Sequence, residues 1–333
     1  MEKLAVGLYS GGLDSILAVK LIVDQGFRVI LVKFTGPIFE DRQPETGILD
    51  GILPAESFSL REVTLGADFL QVIQSPEYGY GKNLNPCLDC KIFMVKKAGE
   101  ILKECAGAFV FTGEVLGQRP MSQRRDALRI IERDSGLTRY LLRPLSARLL
   151  PPTQAEEQGL VRRDALLDIS GRSRKRQMEL AREFGIFNYP SPAGGCLLTD
   201  ESFSRRLKAT LARKDDRVRL EDMPLLKLGR HFLIRPGVRL IVGRNHAENQ
   251  KILALANADN WLFRVMNAPG PISLALGNLE EADFQLAASI TARYSDAKVR
   301  DAIQVSYAPG GNDRHSVLTV SPVEDHLLEH YRI

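Results

Sequence analysis

Cysteine is scarce in this chain, with four among 333 residues. That is too few for a disulfide framework, so the expectation is a reducing, cytoplasmic compartment where thiols bind metals or do chemistry. Tryptophan occurs once. No run of about 18 apolar residues is present, so no membrane-spanning helix is expected. The opening residues, MEKLAVGLYSGGLDS, show no basic leader, long apolar core or small-residue cleavage site, and no secretory leader is expected. Internal repeats and low-complexity tracts are also missing, which excludes a solenoid. The remainder is ordinary for a globular protein, 44% hydrophobic and 26% charged, and excludes a disordered chain or a collagen-like fibre. The length exceeds the roughly 100–200 residues of one domain, so two or three domains are expected.

The net charge of +4 hides an asymmetry. Between Arg119 and Arg217 stand 21 Lys/Arg against 13 Asp/Glu, which leaves the rest of the chain at −4. A basic middle of this kind implies either a face for a polyanion or a set of solvated helix faces.

Leu4 to Tyr9 reads as a buried strand, Asp14 to Gln25 as a helix and Phe27 to Phe34 as a second strand. A strand, a helix and a strand within about 30 residues form a βαβ unit, hence a parallel sheet with a right-handed crossover. The alternation continues through a strand at Arg61–Leu65, helices at Asp68–Gln74 and Cys90–Glu104, and a strand at Ala108–Thr112. A helix at Ser122–Asp134 and a strand at Tyr140–Leu142 complete it. The expected class is α/β with a doubly wound parallel sheet over residues 1–150. Pro151-Pro152 marks a boundary, after which 151–220 reads as a basic, mainly helical extension. Residues 221–333 read as an α+β domain: a hairpin at His231–Arg244, helices at Ala247–Ala256 and Glu280–Tyr294, and strands at Trp261–Met266, Ile303–Tyr307 and Val317–Val320.

Ser10-Gly11-Gly12-Leu13-Asp14-Ser15 lies where the first strand turns into the first helix. Two glycines let the backbone approach a ligand, and a helix start offers free N–H groups and a positive dipole end to an anion. Ser10 and Ser15 add hydroxyls, and Asp14 can hold Mg²⁺ on a polyphosphate. The loop is neither a Walker loop nor GxGxxG; a purely structural turn is the plain alternative. SGGLDS resembles the SGGxDS signature of the PP-loop ATP pyrophosphatases, over about the first 200 residues. The resemblance implies a PP-loop (HUP-like) fold, ATP and Mg²⁺ as ligands, and cleavage of ATP between its α and β phosphates to adenylate a substrate. It implies that Ser10, Gly11, Gly12, Asp14 and Ser15 hold the pyrophosphate end.

Cys87-Leu88-Asp89-Cys90 is a CxxC between a Pro/Gly-rich loop and a helix, and Cys196 follows a second such loop, Ser191 to Gly195. A helix start is expected to lower the pKa of the pair, and Cys196 is expected to be accessible. Cys105 reads as a core thiol. Three thiols with no histidine nearby leave three readings: a three-cysteine [4Fe–4S] cluster, a persulfide carrier with a resolving partner, or inert thiols with a zinc knuckle. Asn85-Pro86-Cys87-Leu88-Asp89-Cys90-Lys91 resembles the NPC-x-x-C-N segment of tRNA 2-thiouridylases, with Lys91 in place of Asn. Thr112-Gly113-Glu114-Val115-Leu116-Gly117-Gln118, followed by Ser122-Gln123, resembles the TGE-x-LGQ…SQ segment of 4-thiouridine synthetases, which adds Gly113 to the expected ATP site. Those synthetases usually carry an N-terminal THUMP domain, whereas this sequence opens on the PP-loop. A third cysteine about a hundred residues after the CxxC resembles the cluster-dependent tRNA thiolases.

Arg119, Arg124 and Arg125 flank the Gly117-Gln118 loop; Arg172, Arg174, Lys175 and Arg176 precede one helix, and Arg205, Arg206 and Lys208 begin another. These fit RNA backbone contacts or solvated faces. Val242-Gly243-Arg244-Asn245 with Asn249, Asp259-Asn260-Trp261 and Pro269-Gly270 resemble marks of the NFACT RNA-binding domain over about residues 225–320. Phe263 and Pro271-Ile272 stand where that pattern has His and Ser-His. Trp261 reads either as an RNA-stacking residue or as core.

Together these resemblances imply ATP-dependent tRNA uridine thiolation, with Cys87, Cys90 and Cys196 as sulfur-chemistry residues and cluster ligands and Asp14 as a catalytic residue. The implied partners are tRNA and a sulfur donor (sulfide or a persulfide carrier protein); the sequence leaves the oligomeric state open, a homodimer being one option. Two alternatives stand beside this, an amide- or lysidine-forming PP-loop ligase and an RNA-binding factor with a vestigial ATP site.

Overall fold

The computed structural model describes residues 3–36, 38, 47–190, 196–211, 220, 223–312 and 314–333. The chain divides into two compact units, Met1–Thr199 and Asp200–Ile333.

The first unit runs β1 (Leu4–Leu8), α1 (Leu13–Val23), β2 (Arg28–Thr35), α2 (Gly47–Asp50), β3 (Phe58–Thr64), α3 (Ala67–Gln74) and α4 (Cys87–Glu104). β4 (Val110–Thr112), α5 (Arg125–Asp134), β5 (Leu141–Leu142), α6 (Gln154–Glu157) and α7 (Lys175–Glu183) follow. The strands form one five-stranded sheet in the order β3-β2-β1-β4-β5, every pair parallel. β1 lies at its centre because LAVGL is apolar on both faces. Ala5 joins a core with Ile16, Leu17 and Phe109, while Val6 and Leu8 join another with Val95, Ala98 and Ile131. Gly7 is required there, since a Cβ on it would lie 2.4 Å from the Phe111 ring of β4. Strand order reverses between β1 and β4, the position at which open α/β sheets leave a crevice at the carboxyl ends of the strands. The doubly wound α/β expectation holds.

The stretch after Pro152, which the sequence pattern sets apart, packs into this same unit. Ala155, Val161, Leu166, Ile169, Ala181 and Ile186 share the core of Ala5 and Phe109. Up to Thr199 its helices are short, α6 and α7, joined by irregular chain. The compact units divide between Thr199 and Asp200, inside the stretch 151–220 that the sequence pattern sets apart.

The second unit contains α8 (Glu201–Leu211), α9 (Met223–Leu226), β6 (Arg230–Arg235), β7 (Val238–Val242), α10 (His246–Leu255) and β8 (Asn260–Val265). It continues with β9 (Ile272–Leu276), α11 (Glu281–Arg293), β10 (Ile303–Pro309), β11 (Ser316–Val320) and α12 (Asp325–Tyr331). Its six strands form an antiparallel sheet in the order β11-β10-β8-β9-β7-β6. Phe232, Phe263 and Val305 pack with Ala287, Ala288 and Ile290 of α11. Ile241 and Leu274 pack with Leu225 of α9 and Ile252 of α10. Among the described residues no helix is long and apolar enough to cross a membrane.

Candidate active site

The loop Ser10–Ser15 leaves β1 at the strand-order reversal. Gly11 has φ +72°, a left-handed conformation that suits glycine. Gly12 caps α1 with no side chain on the helix start. Ser15 Oγ donates to the Gly12 carbonyl at 2.7 Å and lies 3.3 Å from Ser10 Oγ, so both hydroxyls line the loop. Gly113, just past β4, presses against this turn. A Cβ there would lie 2.5 Å from the Asp14 carbonyl carbon and oxygen and 2.6 Å from Ser15 N.

Asp14 is the centre of a polar cluster. Gln118 Nε2 donates to its Oδ2 at 3.2 Å, and Arg174 Nη2 stands 3.9 Å from its Oδ1. Burial raises its carboxyl above the usual range, against the opposing pull of Arg174, Gln118, Arg119 and Gln177. Asp14 Oδ1, Arg174 Nε and both amide atoms of Gln177 are buried without a hydrogen-bond partner among the described residues. A buried polar atom left unpaired costs about 1–3 kcal/mol, so this under-satisfied cluster around Asp14 suits a polar ligand. Sequence reading placed Gln118 in a motif and Arg174 in a basic cluster, but gave neither a part at Asp14, and it missed Gln177. Its signal was a polar residue on the inward stripe of α7, one turn before the fully buried Ala181.

Cys87 opens α4 and Cys90 follows one turn later. Asp89, between them, accepts from the backbone N–H groups of Glu77 at 2.7 Å and Tyr78 at 3.3 Å, which ties the preceding loop to the helix. That loop reaches the third cysteine through Asn83, whose Nδ2 donates to the Thr199 carbonyl at 2.9 Å. Thr199 Oγ1 in turn donates to the Cys196 carbonyl at 2.7 Å. The three thiols share one field: Cys90 is raised by both Cys87 and Cys196, and Cys196 by Cys87. Removal from water pushes all three up, Cys90 to about 12. The expected lowering at a helix start is thus outweighed by desolvation, although Asn85, Arg119 and Lys91 oppose it at Cys87. Cys196 is half-buried rather than open, and Ser191 to Gly195 lie outside the described residues. Cys105 stands apart, its Sγ 3.5 Å from the Leu102 carbonyl and packed on the core of Val95. Among the described residues, no group of three or more His, Cys, Asp or Glu is placed to hold one metal ion. The Arg119 charge favours the ionised form of Asp14, Cys87 and Cys196 alike.

Two family models match. Residues 2–148 match the thiamine biosynthesis protein (ThiI) model, and residues 229–332 match the NFACT protein RNA binding domain. Neither match spans half of the chain, and each says what that segment is similar to. Comparison with curated proteins gives no significant match. Among solved structures, the C-terminal part of the fibronectin/fibrinogen-binding protein from Streptococcus suis is 14% identical, with a TM-score of 0.29, over 74% of this chain and 90% of that one. A 4-thiouridine synthetase solved with RNA and ATP is 19% identical, with a TM-score of 0.39, over 68% of this chain and 52% of that one, so the match spans about half its length. A predicted tRNA methyltransferase subunit from Methanocaldococcus jannaschii is 15% identical, with a TM-score of 0.31, over 43% of this chain and 69% of that one.

Within the residues that match the ThiI model, the TGE segment is held by an ion triad. Glu114 Oε2 lies 3.2 Å from Arg143 Nε, and Arg143 also pairs with Glu132 and donates to the Leu128 carbonyl at 3.2 Å. Much of the basic excess is internally paired: Arg148 and Arg176 with Asp168, Arg163 with Glu156, and Arg124 with Asp126. Arg119, Arg172 and Lys175 are exposed and make no ion pair among the described residues. In the segment that matches the NFACT domain the motif residues build structure. Asn245 Oδ1 caps α10 through Glu248 N at 3.0 Å, and Asn249 Oδ1 accepts from Ile272 N at 3.1 Å. Trp261 is partly buried in a ring cluster, edge-on to Phe284 at 4.8 Å.

Proposed function

We propose that this chain is an ATP-dependent tRNA uridine thiolase. The observation that carries the reading is the Ser10–Ser15 turn at the strand-order reversal, with Gly113 closing on its backbone and the Cys87–Cys90 pair opening α4 of the same unit. The ThiI-type and NFACT-type matches agree with it. In this reading the Ser10–Ser15 loop takes the β and γ phosphates of ATP on its N–H groups and hydroxyls, and Asp14 holds Mg²⁺. A uracil carbonyl oxygen attacks the α-phosphorus and pyrophosphate leaves. A sulfur nucleophile then adds to the activated carbon, and AMP departs with the original oxygen. Adenylation is needed because a carbonyl oxygen leaves poorly and AMP leaves well. Arg119 offsets charge at the α-phosphate.

Cys87, Cys90 and Cys196 fit as ligands of a [4Fe–4S] cluster. They are three soft donors that feel one another's charge, no fourth standing with them among the described residues, and cluster ligands bind separate irons rather than converge on one ion. When bound, such a cluster supplies one iron free of protein ligands, able to hold sulfide. The sulfur donor is sulfide or a persulfide carrier, and the RNA is engaged with help from the C-terminal domain.

The test is anaerobic purification followed by iron and acid-labile sulfide analysis, with thiolated nucleosides in tRNA quantified by mass spectrometry. We expect about four irons per chain, and loss of both iron and thiolation in Cys87→Ala. Full thiolation by Cys196→Ser would remove that residue from the assignment. Thiolation without iron would move the sulfur to a cysteine persulfide. Neither iron nor thiolation would favour an amine-using ligase, which tolerates Cys87→Ala.

A further inference from the structure

The unpaired atoms beside the phosphate loop come mainly from one element outside the ThiI-type match, which ends at residue 148. Gln177 on α7 is fully buried and leans on the Asp14 carboxylate, but neither of its amide atoms completes a well-formed hydrogen bond among the described residues. Packing alone does not account for it, since a leucine there would avoid the desolvation cost. Arg174, just before α7, stands 3.9 Å from Asp14 Oδ1, an ion-pair distance without a hydrogen bond, and its buried Nε has no hydrogen-bond partner among the described residues. The strap leading to both residues is fixed. Gly171 N donates to the Leu116 carbonyl at 2.8 Å, and Ser170 forms a bridge with Leu116. This places Arg174 and Gln177 around the same carboxylate that Gln118 holds from the other strand-end loop.

We propose that Arg174 and Gln177 are polyphosphate ligands of this site, Arg174 exchanging Asp14 for a phosphate oxygen when the nucleotide enters. The guanidinium then places two N–H donors on the phosphate, Gln177 adds an amide donor, and Asp14 is released for the divalent cation. This rests on the reading of the loop as an ATP site. It adds that discrimination between ATP and AMP is set by α7.

Calorimetric titration of the full chain with Mg²⁺ plus ATP, pyrophosphate or AMP tests it. Arg174→Ala is expected to weaken ATP and pyrophosphate binding by about 30-fold, the scale of a lost charge-assisted hydrogen bond, while AMP binding stays within about two-fold. Arg174→Lys is expected to recover part of the loss. Gln177→Leu is expected to weaken ATP binding by about five-fold without lowering the melting temperature. An unchanged ATP-to-AMP ratio in Arg174→Ala overturns the proposal and leaves the ATP reading intact, and equal loss of all three ligands overturns it as a structural effect. A wild-type chain that binds neither ATP nor pyrophosphate overturns the ATP reading and this inference together.

Discussion

Asp14 is held where burial works against its charge, and the consequence has a definite sign. Its folded carboxyl titrates above the ordinary value of 3.8, mainly through desolvation. A group raised in this way contributes stability below its unfolded pKa and loses that contribution as pH rises through the folded one. At neutral pH the ionised carboxylate therefore burdens the nucleotide-free fold. Asp14→Asn is expected to raise the melting temperature at pH 7 by about 2 °C, with a smaller gain at pH 4, and to weaken Mg²⁺–ATP binding. Scanning calorimetry at the two pH values checks the sign, and a lower melting temperature at pH 7 would refute it. Gly113 acts at the same scale through space. Any side chain there meets the backbone of Asp14 and Ser15 rather than a flexible neighbour, so Gly113→Ala is expected to distort the loop and abolish ATP binding in the same titration.

Single elements also show what could be read from the chain in advance. β1, α1 and β2 were legible because apolar runs there are punctuated by glycine, and their observed ends fall within a residue or two of the expected ones. α4 begins three residues before its expected start, at Cys87 directly after Pro86, which brings both cysteines of the CxxC onto its first turn. β9 was not legible. Its run ISLAL is interrupted by Ser273, a polar residue that is fully buried and accepts from Thr291 Oγ1 of α11 at 2.9 Å. α12 escaped for want of an apolar stripe, burying only Leu328. The ion triad was hidden as well, because pairing of Arg143 with Glu114 and Glu132 depends on tertiary contact between β5, α5 and the end of β4. Arg143→Met leaves the Glu114 carboxylate buried without its cation, at an expected cost of about 3–5 kcal/mol in urea unfolding. Adding Glu114→Gln to it is expected to recover part of that loss, because the uncompensated charge is then gone.

For the whole molecule, charge and family match do not coincide. Residues 229–332, the part matching an RNA-binding domain, carry 11 Lys/Arg and 11 Asp/Glu, so this segment has no net charge to attract a polyanion. The basic excess was visible in the sequence, but its pairing was not. Asp168 alone engages Arg148 and Arg176, and the cations left exposed without an ion pair among the described residues include Arg119, Arg172 and Lys175 of the first unit. If the first unit supplies the phosphate contacts to tRNA, salt dependence should follow those cations rather than the C-terminal ones. Each phosphate contact contributes about 0.7–0.9 to the slope of log affinity against log salt. Replacing Arg119, Arg172 and Lys175 with Gln is expected to lower that slope by about 2, measured by tRNA binding between about 50 and 200 mM salt. The matched replacement of Arg264, Lys298 and Arg300, all exposed in the second unit, is expected to leave it unchanged. The reverse pattern would move the electrostatic footprint onto the segment that matches the NFACT domain, despite its balanced charge. Equal shifts from both triples would mean that the RNA backbone runs across both units.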